Sequence, residues 1–374
     1  MPSHRFIAKA FAAPALLVCA LAARADIVIG QTSGFTGQVK GSVAELTHGA
    51  KLYLDSVNAA GGVNGQRIRW VRLDDRFDPE QAAANAQVLI VKEGAVALFL
   101  TRGTPHTQAV LPLLVKHRVP LVAPSTGAAV LHQPPHPFVF NVRATYQREA
   151  MRAIEHLGLV GLQRVAVLYV KDSFGEDAVA GAQKGFANIG RSPVVMQAFE
   201  RENPRFFGIA ARVKHADAQA VLVIGSATAV VEATKALRTA GSAAQIVTLS
   251  NNASGAFIQQ MGVHARGTVV TQVFPYERAS GPPFVRQALQ LAAAAGGDPQ
   301  VTPAMLEGFA AAKVLVEALR RAGPSPTRAS VHAALEGMRK LDIGGLELSY
   351  SPTDRTGFEF VDLSIIAADG RFTR

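Results

Sequence analysis

Short β-branched segments alternate with helical segments from residue 26 almost to the end of the chain. The first strand pattern, residues 27–31, precedes a helical pattern over residues 43–58, where apolar side chains recur every three or four residues. Strand–helix–strand units of this length close with parallel pairing. The alternation therefore predicts an α/β fold of doubly wound parallel sheets with helices on both faces. A single sheet holding all these strands would be unusually wide, so we expect two.

The same pattern predicts the remaining elements. Asp78 is a natural N-cap, Pro79 suits the first helical position, and Gln81 completes a capping box. Further strands are predicted at residues 68–73, 96–100, 120–123, 165–170, 194–199, 220–224 and 246–249. Further helices are predicted at residues 107–116, 146–157, 176–189, 205–215 and 228–240. The pattern then changes to helices at 284–294, 305–321 and 327–338 and strand-like segments at 346–350 and 360–366.

The first 25 residues have the composition of a secretory signal peptide. Arg5 and Lys9 precede a mostly apolar run, and the small residues Ala23 and Ala25 stand where signal peptidase recognises its substrate. The run is shorter than the roughly 20 residues that span a bilayer. Cys19 follows bulky apolar residues, whereas a lipoprotein anchor requires a small one. A buried N-terminal helix is the alternative, which the strand pattern directly after residue 25 disfavours. We therefore expect secretion to the periplasm.

Charge and cysteine content exclude several classes of protein. The chain has 38 Lys and Arg against 28 Asp and Glu, and cleavage after Ala25 would lower its net charge from +10 to +7. The basic residues are scattered, so we expect no nucleic-acid partner. The single cysteine would leave with the signal peptide, which excludes a disulfide scaffold and a cysteine-based zinc site. A hydrophobic content of 49% excludes intrinsic disorder.

Sequence motifs typical of enzymes are absent or weak. The chain has no phosphate-binding G-x-x-x-x-G-K-[ST] loop, no G-x-G-x-x-G after a strand and no G-x-S-x-G nucleophile elbow. His132 and His136 are four residues apart, but neighbouring prolines prevent a shared helical face, which favours a loop over a metal site. Asp74 and Asp75 are interpreted as acids at a strand end, and Asp78 as an N-cap. We expect no catalytic residues, no metal and no cofactor, and a secreted hydrolase has the least support.

Residues suited to ligand binding follow the predicted strands. In open α/β sheets, ligands bind beyond the carboxyl ends of the strands, where helix N-termini offer free N–H groups. Gly103 and Thr104 follow one strand, and Ser125, Thr126 and Gly127 follow the next. Two hydroxyl-bearing loops on neighbouring strands could hold a carboxylate, although each loop alone is ordinary helix capping.

The second half of the chain contributes three further loops. Phe174 follows the strand at 165–170, where its ring could cover the apolar part of a ligand or only anchor the loop. Ala227 and Asn251 lie in the loops after two later strands.

In their order along the chain, these segments resemble the leucine/isoleucine/valine-binding-protein family of periplasmic solute-binding proteins, which serve ABC importers. The resemblance covers essentially the whole chain after residue 25. Single markers are weak, but the ordered series is specific. The markers are Ser33-Gly34, residues 58–65, Asp74-Asp75 with Asp78-Pro79, Gly103-Thr104-Pro105, and residues 124–127, 172–175 and 357–360.

The resemblance implies a type I periplasmic-binding fold, in which two lobes close on a ligand by hinge motion. It also implies a monomer that works with an ABC permease in the inner membrane. A sensory receptor of the same fold, coupled to a signalling partner, is the alternative. The implied crossovers lie near residues 142–145, 273–276 and 349–352. The implied lobes are residues 26–143 with 275–349, and residues 144–274 with 350–374.

The resemblance also implies roles for individual residues. Thr104 and Ser125 match the positions where family members hold an amino-acid carboxylate, and Phe174 matches the aromatic residue that covers the ligand. Asn251 lies in the second-lobe loop where amino-acid binders place an acid against the ammonium. That loop has no acid here.

The missing acid changes the expected ligand, because a buried ammonium without a counter-charge is costly. Glu307 could swing in from the first lobe, and Arg102 would add a cation beside the carboxylate. We expect a carboxylate-bearing ligand that need not be an α-amino acid, such as an aromatic or aliphatic acid. The candidate ligand-binding residues are Arg102, Gly103, Thr104, Ser125, Thr126, Gly127, Phe174, Ala227, Asn251 and Glu307.

Overall fold

The strands of the protein form two large sheets and one small hairpin. The computed structural model describes residues 25–296 and 300–374, so residues 1–24 of the predicted signal peptide lie outside it. The first sheet contains β1 (Ile27–Ser33), β2 (Ile68–Asp74), β3 (Ala97–Phe99), β4 (Leu121–Val122) and β5 (Val139–Phe140). The later strands are β6 (Val165–Val170), β7 (Val195–Phe199), β8 (Ala220–Ile224), β9 (Gln245–Thr248), β10 (Val269–Gln272), β11 (Leu341–Asp342), β12 (Glu347–Leu348), β13 (Asp362–Ile366) and β14 (Phe372–Thr373).

Both large sheets have the parallel pairing that the alternation predicts. The first has the order β2-β1-β3-β4-β5, and all its pairs are parallel. The second has the order β14-β13-β10-β9-β8-β6-β7. Its last two strands in the chain, β13 and β14, pair antiparallel at one edge. The predicted α/β class with two sheets is confirmed.

Helices pack around both sheets. They are α1 (Lys40–Ala59), α2 (Pro79–Val91), α3 (Thr104–His117), α4 (Tyr146–Leu159), α5 (Ser173–Asn188), α6 (Phe206–His215), α7 (Ala227–Thr239), α8 (Gly255–Met261), α9 (Pro283–Ala294), α10 (Pro303–Arg321) and α11 (Arg328–Glu336). The apolar faces of α1, α9, α10 and α11 share one core with the first sheet. Residues of α2 and α3 form a separate cluster on that sheet. A third cluster surrounds the second sheet. Within the described residues, no helix is both long and apolar enough to cross a membrane.

The helices α3 and α5 begin earlier in the chain than predicted, within the segments predicted as ligand-binding loops. Gly103 has φ +91° and directly precedes α3, which therefore begins at Thr104 instead of residue 107. The Asp172 side chain accepts hydrogen bonds from the backbone of Phe174 and Gly175, so α5 begins at Ser173 instead of residue 176. Both predicted loops are thus first turns of helices, with backbone N–H groups free of helical partners.

Other differences are small. The structure confirms Asp78 as an N-cap, but the Gln81 side chain donates to Asn85, so the predicted capping box is wrong. The strands β5, β10, β11 and β14 and the short helix α8 are not predicted, because each is brief and carries little periodicity.

The chain passes between the two sheets three times, after β5, after β10 and before β13. Before the last passage, the chain packs against the first core. Tyr350 and Phe358 are buried in the first core, where the Tyr350 hydroxyl donates to the Asn141 carbonyl at 2.6 Å. The Phe358 amide donates to the Val142 carbonyl at 3.0 Å. The predicted limits of the lobes, including the start of the second-lobe segment at residue 350, remain a prediction.

The close approach of α1 and α10 gives a test of the first core. A Cβ on Gly308 would lie 1.9 Å from the Leu46 carbonyl oxygen, so Gly308→Ala should lower the free energy of unfolding by about 1–3 kcal/mol or more. Gly208→Ala is the matched control, since a Cβ there meets nothing within 4 Å and the helix gains about 0.5–1 kcal/mol. Urea unfolding measures both. Equal stability of the two variants would contradict the packing described.

Candidate functional site

Arg102 reaches from the first lobe to the second. It lies in the loop between β3 and α3, and its Nη1 donates to Ser125 Oγ at 2.8 Å. Its Nη2 donates to the Asn251 carbonyl of the second lobe at 2.7 Å and to Ser42 Oγ at 3.4 Å. The residue is 6% exposed. Among the described residues, its side chain has only neutral acceptors and no carboxylate at ion-pair distance.

A buried group of charges continues from Ser125 into the protein. Ser125 Oγ donates to Glu307 Oε1 at 2.7 Å, and Glu307 Oε2 lies 3.6 Å from Arg143 Nη1. Arg143 also pairs with Glu149, and both are almost completely buried. Burial alone lowers the pKa of Arg143, but Glu307, Tyr146 and Glu149 outweigh it and raise that pKa. Glu307 therefore has Ser125 and Arg143 as its partners, and its role toward a ligand remains a prediction.

The second lobe holds the far end of this group. Glu149 Oε2 accepts from the Ser250 amide at 2.9 Å and from the Thr271 hydroxyl. Arg143 Nη2 donates to Ser250 Oγ at 2.6 Å. We call Arg102, Ser125, Glu307, Arg143 and Glu149 the buried polar chain. It joins loops of both lobes through the first passage between the sheets, where Arg143 lies.

A cavity of about 20 Å³ lies beside Arg102 and is lined by residues of both lobes. Phe174 packs edge-on against Tyr146, with ring centroids 4.7 Å apart, and the Arg143 guanidinium lies 4.7 Å from the same Tyr146 ring. The lining residues are Val39, Phe77, Arg102, Gly103, Thr104, Tyr146, Phe174, Arg201, Ser226 and Asn251. The lining contains two arginines and no carboxylate.

The Phe77 ring lies between an aromatic neighbour, His106, and a cationic one, Arg201. It stacks on His106 at a centroid distance of 4.0 Å, and the Arg201 guanidinium lies 5.2 Å from its ring. Arg201 in turn pairs with Asp172. Burial lowers the pKa of His106 to about 4, with a smaller contribution from Arg201. His106 is therefore neutral at neutral pH and adds no charge to the cleft.

Further hydrogen bonds hold the lobes together. Glu45 on α1 accepts from the Gly255 and Ala256 amides at the start of α8, at 3.0 and 2.8 Å. Ser173 Oγ donates to Gln108 Oε1 at 2.6 Å. The lobes are thus in contact across the cleft, which explains the small cavity.

The structure brings half of the predicted ligand-binding residues to the cavity wall. These are Arg102, Gly103, Thr104, Phe174 and Asn251. Ser125 and Glu307 lie behind Arg102 in the buried polar chain, and the Thr126 hydroxyl bonds to that of Thr104 at 2.7 Å. A Cβ on Gly127 would lie 2.6 Å from the Ala144 carbonyl oxygen, so backbone packing requires this glycine. Ala227 starts α7, but its neighbour Ser226 lines the cavity instead.

The other lining residues are not among the predicted ligand-binding residues; they are Val39, Phe77, Tyr146, Arg201 and Ser226. Phe77 has φ +61° just after the acids that end β2, which is an uncommon conformation that sequence does not reveal. Tyr146 follows a passage between the lobes, and Arg201 follows β7. The only available signal for Tyr146 and Arg201 is their position after a strand or crossover.

Comparisons with known proteins agree with this architecture. A family model described as "Periplasmic binding protein" matches residues 26–360. The leucine-specific-binding protein of Salmonella typhimurium is 23% identical over 335 residues, which cover 87% of this chain and 88% of that protein. The amino acid binding protein of Pseudomonas aeruginosa is 22% identical over 53% of this chain and 54% of its own length. This match thus spans about half of that relative.

A solved structure matches over nearly the full length. The substrate-binding periplasmic protein from Ralstonia solanacearum is 31% identical, with a TM-score of 0.84, and the match covers 93% of this chain and 99% of that one.

Arg143→Met should be strongly destabilising, because it leaves Glu149 and Glu307 buried without their cation. We expect a loss of about 3–5 kcal/mol in the free energy of unfolding, measured by chemical denaturation. Arg148→Met removes an exposed pair with Glu359 and should cost less than about 1 kcal/mol. A loss at Arg143 no larger than at Arg148 would show that the buried carboxylates do not depend on this arginine.

Proposed function

The chain belongs to the periplasmic binding protein family, and we propose that it captures a small organic acid between its lobes for delivery to an ABC importer. In this proposal the ligand carboxylate pairs with Arg102. The family supports a binding role in place of a catalytic one, and the residues around the cleft support the class of ligand.

The observation that carries the proposal is the charge of the cleft wall. The lining includes Arg102 and Arg201 but no Asp or Glu. Arg201 already has Asp172 as its partner, whereas Arg102 bonds only to neutral oxygens. A ligand carboxylate would replace one of these neutral acceptors with an anionic one, which adds an ion pair and allows two parallel N–H···O bonds to the guanidinium.

The same wall disfavours an ammonium group. Glu307 is held by Ser125 and Arg143 behind the wall, and it does not line the cavity. Asn251 donates its side-chain amide to the Gly225 carbonyl, and its Oδ1 is a neutral acceptor buried without a partner. Such an oxygen suits a hydroxyl or amide of the ligand, but it does not neutralise a buried positive charge.

The rest of the ligand would contact apolar surface. Phe77, Tyr146, Phe174 and Val39 supply rings and a methyl-bearing side chain around the arginines. Aromatic rings bury large apolar areas and pack well against other rings. An aromatic or aliphatic acid therefore suits the cleft better than a purely polar anion such as a small dicarboxylate.

The lobes must separate before such a ligand enters, since the cavity is only about 20 Å³. Opening would break the bond between Arg102 and the Asn251 carbonyl. A carboxylate that then binds Arg102 would take the place of this oxygen, and contacts of the ligand with second-lobe residues of the lining, such as Ser226 and Phe174, would favour closure. Ligand binding and closure would be coupled in this way.

Calorimetric titration with a panel of aromatic and aliphatic acids and of amino acids tests the ligand class. We expect an organic acid to bind more tightly than any amino acid, and Arg102→Gln to weaken this binding by about 10–100-fold because a charge-assisted hydrogen bond is lost. Arg191→Gln, at an exposed position, removes the same charge and should leave binding unchanged. Tight leucine binding with no binding of organic acids would overturn the proposed ligand.

Uptake by cells tests the transport role separately. Deletion of the gene should abolish high-affinity uptake of the acid found by titration, and the wild-type gene should restore it. The Arg102→Gln gene should restore uptake only at ligand concentrations raised by a similar factor. Unchanged uptake after deletion would favour the sensory role of this fold over transport.

A further inference from the structure

A second cavity lies away from the cleft, next to the second passage between the sheets. Its volume is about 220 Å³, and it shares no lining residue with the cavity beside Arg102. Glu277 and Arg278 of the segment between β10 and α9 form part of its wall. We call it the hinge cavity.

Both lobes contribute apolar surface to the hinge cavity. Leu289 on α9 and Pro303 on α10 belong to elements of the first core. Ile258 on α8 and Phe372 on β14 pack with the second core. Its walls therefore meet at the boundary between the lobes. The volume is below the roughly 300–1,000 Å³ of cavities for drug-sized ligands, so any occupant is small.

Glu277 contributes a buried carboxylate to the wall of the hinge cavity. The residue is 6% exposed, and the described residues place no Lys, Arg or His nitrogen within 4.0 Å of its carboxylate. Burial raises its pKa, against smaller opposite effects of its own backbone amide, Arg278 and Arg374. A buried carboxylate without an ion-pair partner is costly to the fold.

The nearby arginines are engaged elsewhere. Arg278 Nη2 donates to the Phe372 carbonyl at 2.6 Å. Arg374 pairs with Asp362 at 2.8 Å and donates to the Phe274 carbonyl at 2.9 Å. Arg371 lies 3.9 Å from Asp369, and both are exposed. None of these contacts supplies a donor to the Glu277 carboxylate.

We propose that the hinge cavity binds a small primary amine with an apolar body, whose ammonium pairs with Glu277. The hydrocarbon part would lie against Leu289, Ile258 and Phe372. An ammonium supplies a positive charge in direct contact with this carboxylate, and hydrogen-bond donors in addition to the residue's own backbone amide. The site is independent of the ligand proposed for the cleft.

Titration calorimetry of the full chain with 2-phenylethylamine tests the proposal. We expect one amine per protein with a dissociation constant on the order of 0.1–1 mM. The uncharged isostere 2-phenylethanol should bind at least about 10-fold more weakly, because it lacks the ion pair. Absence of amine binding at millimolar concentrations, or equal binding of the alcohol, would overturn the proposal.

Variants assign the binding to this cavity. Glu277→Gln should weaken amine binding at least about 10-fold. The exposed Glu347→Gln, which changes net charge equally, should not affect it. Leu289→Trp, which fills the apolar end, should also abolish binding. Arg102→Gln should leave amine binding intact, which separates this site from the cleft. Amine binding that is lost with Arg102→Gln but kept with Glu277→Gln would place the amine in the cleft and refute the hinge site.

The melting temperature of Glu277→Gln gives a second, ligand-free measurement. Since the substitution removes a buried charge without an ion-pair partner, the variant should melt at a higher temperature than the wild type. A lower melting temperature would show that the carboxylate already has an internal partner. That result would overturn the proposed role of Glu277.

Discussion

The pairing of Arg143 with Glu149 and Glu307 is the constraint on which the arrangement of the two lobes depends. Each of these charges is buried, and a buried charge is tolerated only where its partners are held in place. Arg143 lies between the lobes, Glu149 lies in the first turn of α4, and Glu307 lies on α10. The elements that carry the three residues must therefore keep fixed positions relative to one another at the point where the chain passes from one sheet to the other.

This pairing also explains the chemistry available in the cleft. Glu307 is the only acid among the predicted ligand-binding residues, and Arg143 and Ser125 already occupy its two oxygens. Arg102, one of the two arginines that line the cavity, is linked to Glu307 only through the Ser125 hydroxyl and has no direct carboxylate partner. The buried polar chain thus leaves positive charge at the cleft wall and keeps negative charge behind it.

Sequence patterns predict the repeating parts of this structure well. The limits of β6 and β8 agree with prediction, because each is a continuous apolar run. The strands that precede Thr104, Ser125 and Phe174 are also predicted, although Thr104 and Phe174 belong to the first turns of α3 and α5 and not to loops. In contrast, the role of Arg143 is not predicted. Its partners are distant in sequence and meet only through tertiary packing, as does the contact of Glu45 with α8.

The contact between Arg102 and the Asn251 carbonyl has a kinetic consequence. Because both lobes already meet around a cavity of about 20 Å³, the ligand proposed for the cleft would reach Arg102 only while the lobes are apart. At high ligand concentration the observed association rate would then approach a plateau set by the rate of opening, and it would no longer rise in proportion to concentration. Contacts far from the proposed ligand site, such as that of Glu45 with α8, would thereby limit the rate of ligand association.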